Sequence, residues 1–364
     1  MQNGNIYKRL IMIAALIWAG LIVAAQENEN RSFKIFQFPP NRIPSIDGNK
    51  TDWNIVPDSF LVGTNQLVED NKRFPAPDPK NLDVKVKVGW VKGLNRLYFL
   101  YEAYDDYWDF THTGLHNDIF EIVVDADRSG GPLIDEQHPN PGIEKWEAYF
   151  SFHGVHAQNY HIFTPAEGKD WALAWGSQPW IKDLPYANAA YNYDFKPGDS
   201  GRLVLEFWIT PFDYAGAEGP VRAVESNLFD NKIISLSWAV IDYDDVNDRK
   251  KQGFWNLSRQ HKMYGNASYL LPFTLMPLDS RFKKSIDAQW SFKVVDMKRR
   301  LVSFIDESEG QITSWKWDFG DNTTSTQQHP SHQYKDAGKY VVTLWIEGPA
   351  GKSRRAKVWD VAVR

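Results

Sequence analysis

Three groups of residues in this 364-residue sequence carry side chains that could bind a metal ion or a ligand. The first is the acidic segment 125–136, DADRSGGPLIDE, whose Gly130 falls at the sixth position. Four oxygen-bearing residues fall at the first, third, fifth and twelfth positions of the spacing that calcium loops use: Asp125, Asp127, Ser129 and Glu136. Strand-like residues precede the segment and Pro132 interrupts it, so it is not an EF-hand. We predict a strand-borne structural calcium site, with a solvated acidic turn as the alternative.

The second group is aromatic. Region 144–186 contains four of the 16 tryptophans, together with several tyrosines: Trp146, Trp171, Trp175 and Trp180. A sugar ring packs its C–H face on a flat π surface, and its hydroxyls need polar partners that replace lost water. Gly and Pro flank the last three tryptophans, which indicates a loop, and a loop buries large rings poorly. The cluster therefore predicts a ligand surface, although the same rings could fill a thick core.

The third group is histidine. Six of the nine histidines fall between residues 112 and 161, near several carboxylates. Neutral imidazoles bind zinc, and carboxylate pairs cleave glycosidic bonds, so an enzyme could be built here. However, the sequence contains no HExxH, GxSxG, P-loop or dinucleotide-binding motif. Hydrogen-bonding histidines at the rim of a binding surface are the simpler interpretation.

The amino-acid composition excludes several classes of protein. The chain has no cysteine, which excludes disulfide scaffolds, cysteine-ligated metals and a lipid-anchored cysteine. It carries 41 Lys and Arg against 46 Asp and Glu, and this acidic balance argues against nucleic acid as a partner. The 43% hydrophobic content is enough to fill a core.

The amino terminus has the three parts of a secretory signal. Lys8 and Arg9 precede an apolar run at residues 10–25, which ends in the small residues Val23, Ala24 and Ala25. The run is short for a membrane span of about 20 residues. We therefore predict a signal peptide at residues 1–25 and a mature chain that is secreted or periplasmic, without a membrane span. An uncleaved anchor is the alternative.

The mature chain has the pattern of a β-sandwich. Short β-branched and aromatic segments, bounded by Gly, Pro, Asn or Asp, occur at 82–90, 96–104, 119–124, 146–152, 203–209 and 233–241. Segment 82–90, LDVKVKVGW, alternates apolar and charged residues as a half-buried strand does. No segment keeps a helical period. An all-β fold is therefore predicted.

A change in charge marks a domain boundary near residue 280. Residues 26–280 hold 24 basic and 36 acidic residues, a net charge of −12, whereas residues 281–364 hold 15 basic and 10 acidic residues, a net charge of +5. We predict a large sandwich at 33–277 and a small one at 281–364.

The small domain resembles a polycystic kidney disease (PKD) domain, an immunoglobulin-like sandwich. Residues 317–321, WDFGD, match the family's signature, with Asn322 where Gly is usual. Asn tolerates a left-handed turn, so the turn should survive. HPSHQY at 329–334 and GKYVVTLWI at 338–346 complete the match. The resemblance implies a spacer or a weak binding module, with Trp315 as a possible glycan contact.

The large domain resembles carbohydrate-binding module family 9. The matching segments are IDG at 46–48 with the following Trp53, RLYFLYEAYDD at 96–106, NDIFEIVVDAD at 117–127, and GFWNLS around Trp255. The resemblance implies a sugar held between two tryptophan rings, with hydroxyls bound by a DxxE pair. Trp255 matches one ring, and Asp118 and Glu121 match the pair. Leu115 occupies the position of the other ring, for which Trp108 is a candidate replacement.

These features predict an exported, non-catalytic protein that captures a poly- or oligosaccharide by aromatic stacking and assists polysaccharide degradation. A polysaccharide-degrading enzyme, hydrolase or lyase, on the same sandwich is the alternative.

Overall fold

The chain forms two compact units that meet in sequence between Asp279 and Ser280. A computed structural model describes residues 31–69, 73–74, 76–131, 144, 153–245, 252–283 and 285–361. The predicted signal peptide, the strand predicted at 146–152, Trp146 and Glu136 lie outside these residues. Strands dominate both units, and the described helices are short 3-10 turns, so the all-β prediction is confirmed.

The first unit contains fifteen described strands. They are β1 Phe33–Gln37, β2 Val62–Gly63, β3 Val68–Glu69, β4 Leu82–Trp90, β5 Leu97–Asp105, β6 Ile119–Asp125, β7 Gln158–Phe163, β8 Ala172–Ala174, β9 Ala187–Tyr193, β10 Gly201–Ile209, β11 Phe212–Tyr214, β12 Val224–Glu225, β13 Ile233–Tyr243, β14 Gln252–Asn256 and β15 Leu271–Leu275. The 3-10 helices are Lys50–Ile55, Asp58–Phe60, Thr64–Gln66, Pro179–Lys182, Pro220–Arg222, His261–Gly265 and Ala267–Tyr269. A further one, Ser280–Phe282, begins the second unit.

Two sheets form the sandwich, and one strand joins them. The first sheet runs β8-β7-β6-β13-β15, with β14 and β3 beyond β13, and the second runs β4-β5-β10-β9, with β2 on β4. Strand β1 pairs in parallel with β15 through its first three residues and with β4 through its last two. A strand that switches sheets in this way closes a corner of the sandwich.

The core lies between the two sheets because each strand turns its alternate apolar residues inward. Tyr101 of β5 stacks on Phe120 of β6 at 4.4 Å, a contact from one sheet to the other, and Phe99 stacks on Phe207 at 4.6 Å. In β4 the alternation predicted from sequence is present, with Lys85 exposed between buried valines. The outer face of the first sheet carries a second, smaller apolar cluster around Val123.

The IDG and Trp53 segment is held by one buried carboxylate, that of Glu206. Its Oε2 accepts the backbone N–H groups of Asp47 at 3.3 Å and Asn49 at 3.0 Å, and its Oε1 accepts the Trp53 indole N–H at 2.8 Å. Gly48 adopts φ +78°, and a Cβ there would lie 2.8 Å from the carbonyl of Tyr191. The motif therefore builds a turn fixed against β9 and β10.

The second unit is a smaller sandwich with its own core. Its strands are β16 Ile286–Asp287, β17 Trp290–Asp296, β18 Leu301–Asp306, β19 Glu309–Gly310, β20 Ser314–Asp318, β21 Thr324–Ser325, β22 Ser331–Gln333, β23 Gly338–Gly348 and β24 Gly351–Val361. The sheets are β17-β18-β22 and β21-β20-β23-β24, with the pair β16-β19. Trp317 and Phe319 are both buried, and Asn322 has φ +69°, the left-handed conformation expected of the turn.

Of the helices in the described part of the chain, none combines the length and apolar character that crossing a membrane requires.

Candidate functional site

A buried polar patch lies on the outer face of the first sheet, and we call it the Glu121 cluster. It consists of Glu121, Asn159, His161 and Ser237. Strand pairing brings them together, because Glu121 faces His161 across β6 and β7, while Val123 faces both Asn159 and Ser237. Residues two apart on a strand share a face, so all four side chains lie on the same side of the sheet.

Hydrogen bonds connect this cluster only in part. The Asn159 amide donates to Glu121 Oε1 at 3.0 Å and to the Tyr264 carbonyl at 3.3 Å, and His161 Nε2 lies 3.4 Å from the same Glu121 oxygen. Within the part of the chain that the structure describes, three buried atoms of the cluster have no hydrogen-bond partner: Asn159 Oδ1, His161 Nδ1 and Ser237 Oγ. Each such atom costs about 1–3 kcal/mol if it stays unpaired. The patch therefore offers unused donor and acceptor capacity.

Aromatic and imidazole rings border the cluster. Trp175, which is half-buried, has its ring centroid 5.5 Å from that of His161 and 6.3 Å from that of His153. Burial, with a smaller contribution from His161, lowers the pKa of His153 to about 3. The His153 imidazole is therefore neutral at pH 7, and the border of the cluster carries no charge from it.

The two members of the predicted DxxE pair are separated by the sheet. Glu121 belongs to the cluster just described, whereas Asp118 accepts the backbone N–H of Tyr243 at 2.8 Å and of Asp109 at 2.6 Å. Residues three apart on a strand point to opposite faces, so a spacing of three cannot place both carboxylates on one ligand. Asp118 is 2% exposed and fixes backbone at one end of the sandwich.

The predicted tryptophans occupy different environments. Trp108 is 1% exposed and stacks on Phe195 at 4.6 Å, and Trp255 is 3% exposed with its ring 5.9 Å from Phe74. Neither ring presents a face to solvent. The indoles of Trp171 and Trp180 donate to the carbonyls of Lys182 at 2.9 Å and Gly216 at 3.0 Å, and both rings pack partly buried on the core. Among the predicted tryptophans that lie within the described residues, Trp175 is the one beside the Glu121 cluster.

Four aspartates converge at one end of the sandwich, and we call them the acidic cluster: Asp105, Asp118, Asp242 and Asp244. One carboxylate oxygen from each of Asp105, Asp242 and Asp244 lies within 4.8 Å of the other two. Burial, followed by the charge of Asp244, raises the pKa of Asp105 to about 8. Burial and the charge of Asp105 likewise raise the pKa values of Asp118 and Asp242. The sequence alone does not show that these residues meet, because Asp105 is distant in the chain from Asp242 and Asp244.

The described part of the predicted calcium loop folds on its own backbone. Asp125 Oδ2 accepts the Gly130 N–H at 2.9 Å, and Asp127 Oδ1 accepts the Ser129 N–H at 3.0 Å. Burial and the neighbouring Asp127 raise the pKa of Asp125 to about 6. Asp125, Asp127 and Ser129 are thus brought together in one turn. Calcium at this loop remains a prediction, since Glu136 lies outside the described residues.

The histidines that the structure describes do not come together as a metal centre. His112 Nε2 lies 3.0 Å from Asp109, His156 Nδ1 lies 3.2 Å from the Asp213 carbonyl, and the His116 ring lies 6.1 Å from that of Tyr243. Among the described residues, the group whose ligand atoms converge closely enough for a metal is the aspartate set alone.

Comparison with known proteins identifies a PKD-domain match in the second unit. The family model described as PKD domain matches residues 296–363. Collagenase ColQ1 of Bacillus cereus is 39% identical over 51 residues, which cover 14% of this chain and 5% of that protein. The metalloprotease PrtV of Vibrio cholerae is 36% identical over 66 residues, 18% of this chain and 7% of its own length. The chain thus matches only a small part of these relatives.

Solved structures similar to the chain include a carbohydrate-binding module and a PKD domain. A carbohydrate-binding module family 9 domain from Caldicellulosiruptor kristjanssonii, in complex with cellotriose, covers 69% of this chain and 96% of its own, at 14% identity and a TM-score of 0.42. The PKD1 domain of Vibrio cholerae PrtV covers 22% of this chain and 99% of its own, at 30% identity and a TM-score of 0.20. The PKD domain predicted for the C-terminal unit is confirmed by the family model at residues 296–363.

Proposed function

We propose that the first unit is a non-catalytic carbohydrate-binding module that captures a poly- or oligosaccharide at the Glu121 cluster. The observation that carries the proposal is the set of unpaired polar atoms on Asn159, His161 and Ser237 beside the Glu121 carboxylate. Hydroxyl groups both donate and accept hydrogen bonds, so a polyol would satisfy such a mixed set.

Trp175 supplies the aromatic surface in this proposal. Its half-buried ring lies against His161, so a sugar stacked on it would direct its edge hydroxyls at the cluster. This assignment replaces Trp255 and Trp108, whose rings are covered by protein, as the stacking position. Glu121 keeps the role of hydroxyl acceptor that the sequence predicted for it.

Isothermal titration calorimetry of the full mature chain against soluble oligosaccharides, chosen from a glycan-array screen, tests the proposal. We expect Trp175→Ala and Glu121→Gln each to weaken binding at least tenfold, which corresponds to about 1.4 kcal/mol. Trp345→Ala is the matched control, because it removes a half-buried tryptophan from the other unit. Thermal unfolding of each variant separates lost contacts from lost folding.

Two outcomes would contradict the proposal. No binding to any glycan would remove the function, and a loss confined to Trp345→Ala would move binding to the second unit. Release of new reducing ends or unsaturated products during incubation would favour the enzyme alternative instead.

We also propose that the protein is exported through the signal predicted at residues 1–25. N-terminal sequencing of the mature protein should begin near Gln26, and a retained Met1 would contradict this.

A further inference from the structure

The outer face of one sheet of the second unit carries a solvent-accessible aromatic ring. In the sheet β21-β20-β23-β24, Trp317, Leu344 and Ile346 turn inward and are buried, so the alternate residues of β20 and β23 face outward. Trp345 is one of these outward residues, and it is half-buried. This face has no part in the glycan capture proposed above for the first unit.

Two basic side chains flank this ring across the strands. Antiparallel pairing places Trp345 of β23 directly opposite Lys316 of β20 on one side and Arg354 of β24 on the other. Residues directly opposite each other share a face, and neighbouring strands lie about 4.8 Å apart. The Lys316 ammonium lies 5.9 Å from the centroid of the Trp345 ring. The three residues form one line of cation, ring and cation, which we call the Trp345 row.

The positive charge of the row is not neutralised within the described residues. Neither Lys316 nor Arg354 forms an ion pair there, and both are exposed. The described carboxylates of β20 and β23 on this face are engaged elsewhere. Glu347 Oε2 lies 3.0 Å from Lys352 Nζ, and Asp318 accepts a backbone N–H of its own turn at 2.9 Å. Two cations therefore remain available to an anionic ligand.

A shallow groove lies beside the ring. It measures about 250 Å³ and is lined by Ser314, Lys316, Trp345, Ile346, Glu347 and Lys352. Pockets that enclose a small molecule typically measure about 300–1,000 Å³. The groove is therefore too small to enclose such a ligand, and it suits one unit of a polymer that continues over the surface.

Trp345 differs from the other tryptophans described in this unit. Trp290 and Trp317 are fully buried, and Trp315 packs on the core and donates its indole N–H to Asp306 at 2.7 Å. Trp315, the glycan contact considered from the sequence, shares the inner face with Trp317 because they are two residues apart. The Trp345 indole has no hydrogen bond within the described residues. Trp345 is thus the ring available on the outer face.

We propose that the Trp345 row binds an acidic polysaccharide, whose sugar rings carry carboxylate or sulfate groups. A sugar ring can pack its C–H face on the indole. An acidic group on that ring lies at the ring's edge, where the strand spacing of about 4.8 Å places Lys316 and Arg354. Hydrogen bonds between charged partners are the stronger kind. The net charge of +5 over residues 281–364 attracts the same ligand over a longer range.

Other polyanions match the row less well. In a nucleic acid the sugar separates each phosphate from the stacked base, and proteins that bind single strands use a basic groove with successive aromatic rings. The row has one ring and two available cations. An acidic peptide such as polyglutamate has no ring to place on Trp345. The arrangement therefore favours a polymer that carries its charge on the ring that stacks.

Calorimetric titration of the full mature chain at low salt tests the proposal. The ligands are polygalacturonate for carboxylate, dextran sulfate for sulfate, and dextran as the uncharged match. We expect at least one polyanion to bind, and Trp345→Ala to weaken that binding about tenfold or more. Lys316→Gln/Arg354→Gln should weaken it as well and flatten its dependence on salt, because screening acts on fewer charges. Thermal unfolding checks that each variant is folded.

The matched control is Lys293→Gln/Lys335→Gln. It removes the same charge from exposed positions of the second unit that lie outside this sheet, and it should bind the polyanion as the wild type does. Trp175→Ala should also leave this binding unchanged, so failure of the glycan capture proposed for the first unit would not affect the result. For uncharged oligosaccharides Trp345→Ala remains a control, because they offer the two cations no anion.

Three results would each overturn the proposal. The first is that neither polyanion binds, or that Trp345→Ala binds as tightly as the wild type. The second is an equal loss in the two double variants, which would reduce the attraction to net charge. The third is tighter binding of oligo(dT) or polyglutamate than of both polysaccharides at the same salt, which would assign the row to a different polymer.

Discussion

At the scale of single residues, buried carboxylates in this protein serve different purposes according to what faces them. Glu206 accepts three N–H groups, Asp118 accepts two, and Asp242 retains an oxygen with none. A buried carboxylate is stabilised by donors or by cations. The first two residues therefore hold neighbouring segments in place, whereas Asp242 Oδ1 has no hydrogen-bond donor among the described residues.

Glu206→Gln should destabilise the first unit by about 2–3 kcal/mol, because an amide cannot accept hydrogen bonds at both terminal atoms and hydrogen bonds to charged groups are the stronger ones. Chemical denaturation measures the change. Glu102→Gln, on the neighbouring strand with a surface ion pair to Lys50, is the control and should stay within about 0.5 kcal/mol. Equal effects of the two substitutions would contradict the role assigned to Glu206.

At the scale of elements, the period of a strand decides which predicted residues can act together. The sequence correctly predicted the positions of β4, β5, β6, β10 and β13, because their alternation and turn residues are local features. It could not predict which ring is covered. Trp108 and Trp255 are buried by Phe195 and Phe74, and those contacts depend on how distant strands pack.

The candidate sites show the same limit. Glu121 was predicted, but its partners Asn159 and His161 come from β7, and a family motif at 117–127 does not name them. Asp242 and Asp105 are separated by most of the unit and meet only because the two sheets pack together. The alternation of side chains along a strand, applied to residues 118–121, would have placed Asp118 and Glu121 on opposite faces of the sheet from the sequence alone.

The turn that carries Gly48 allows an element-scale prediction. Gly48→Ala should destabilise the first unit more than Gly93→Ala, because both glycines have positive φ but only the Cβ at position 48 would contact backbone, at 2.8 Å from Tyr191. Gly93 has nothing within 4 Å of the added Cβ. We expect about 1 kcal/mol for Gly93→Ala from strain alone and at least twice that for Gly48→Ala. Equal losses in denaturation midpoints would contradict a close approach at Gly48.

At the scale of the whole molecule, the two units have separate cores and opposite net charge. In the second unit, the carboxylates of Asp306 and Asp321 accept several hydrogen bonds. Asp306 accepts N–H groups from Ser308, Gln328 and Trp315, and Asp321 accepts from Thr323 and lies 2.7 Å from His332 Nε2. Burial raises the pKa of each, but these hydrogen bonds outweigh burial, so both pKa values lie below the ordinary value.

Calorimetry of the full chain should therefore show two unfolding transitions with different acid sensitivity. A lowered pKa contributes stability that is present above the unfolded value of about 3.9 and is lost as pH falls through the native value. We expect the transition of the second unit to move down below about pH 4. In Asp306→Asn/Asp321→Asn the same transition should lie lower at pH 6 and change less between pH 4 and 2.5.

The control for this experiment is Asp336→Asn, which alters an exposed carboxylate of the same unit. It should leave the acid response of both transitions as in the wild type. A double variant that keeps the full acid response would show that other groups carry it.

The strand that passes from one sheet to the other also dictates the order in which the first unit can fold. Phe33 of β1 pairs with Phe273, and the same short strand reaches Trp90 through Gln37. Contacts of such sequence separation form late, because the intervening chain must first be ordered. The corner of the sandwich therefore stays open until β15 has left the ribosome. The two sheets are thus joined only after the last strand of the unit arrives, and under the proposed export this delay would lengthen the time in which the chain can cross a membrane unfolded.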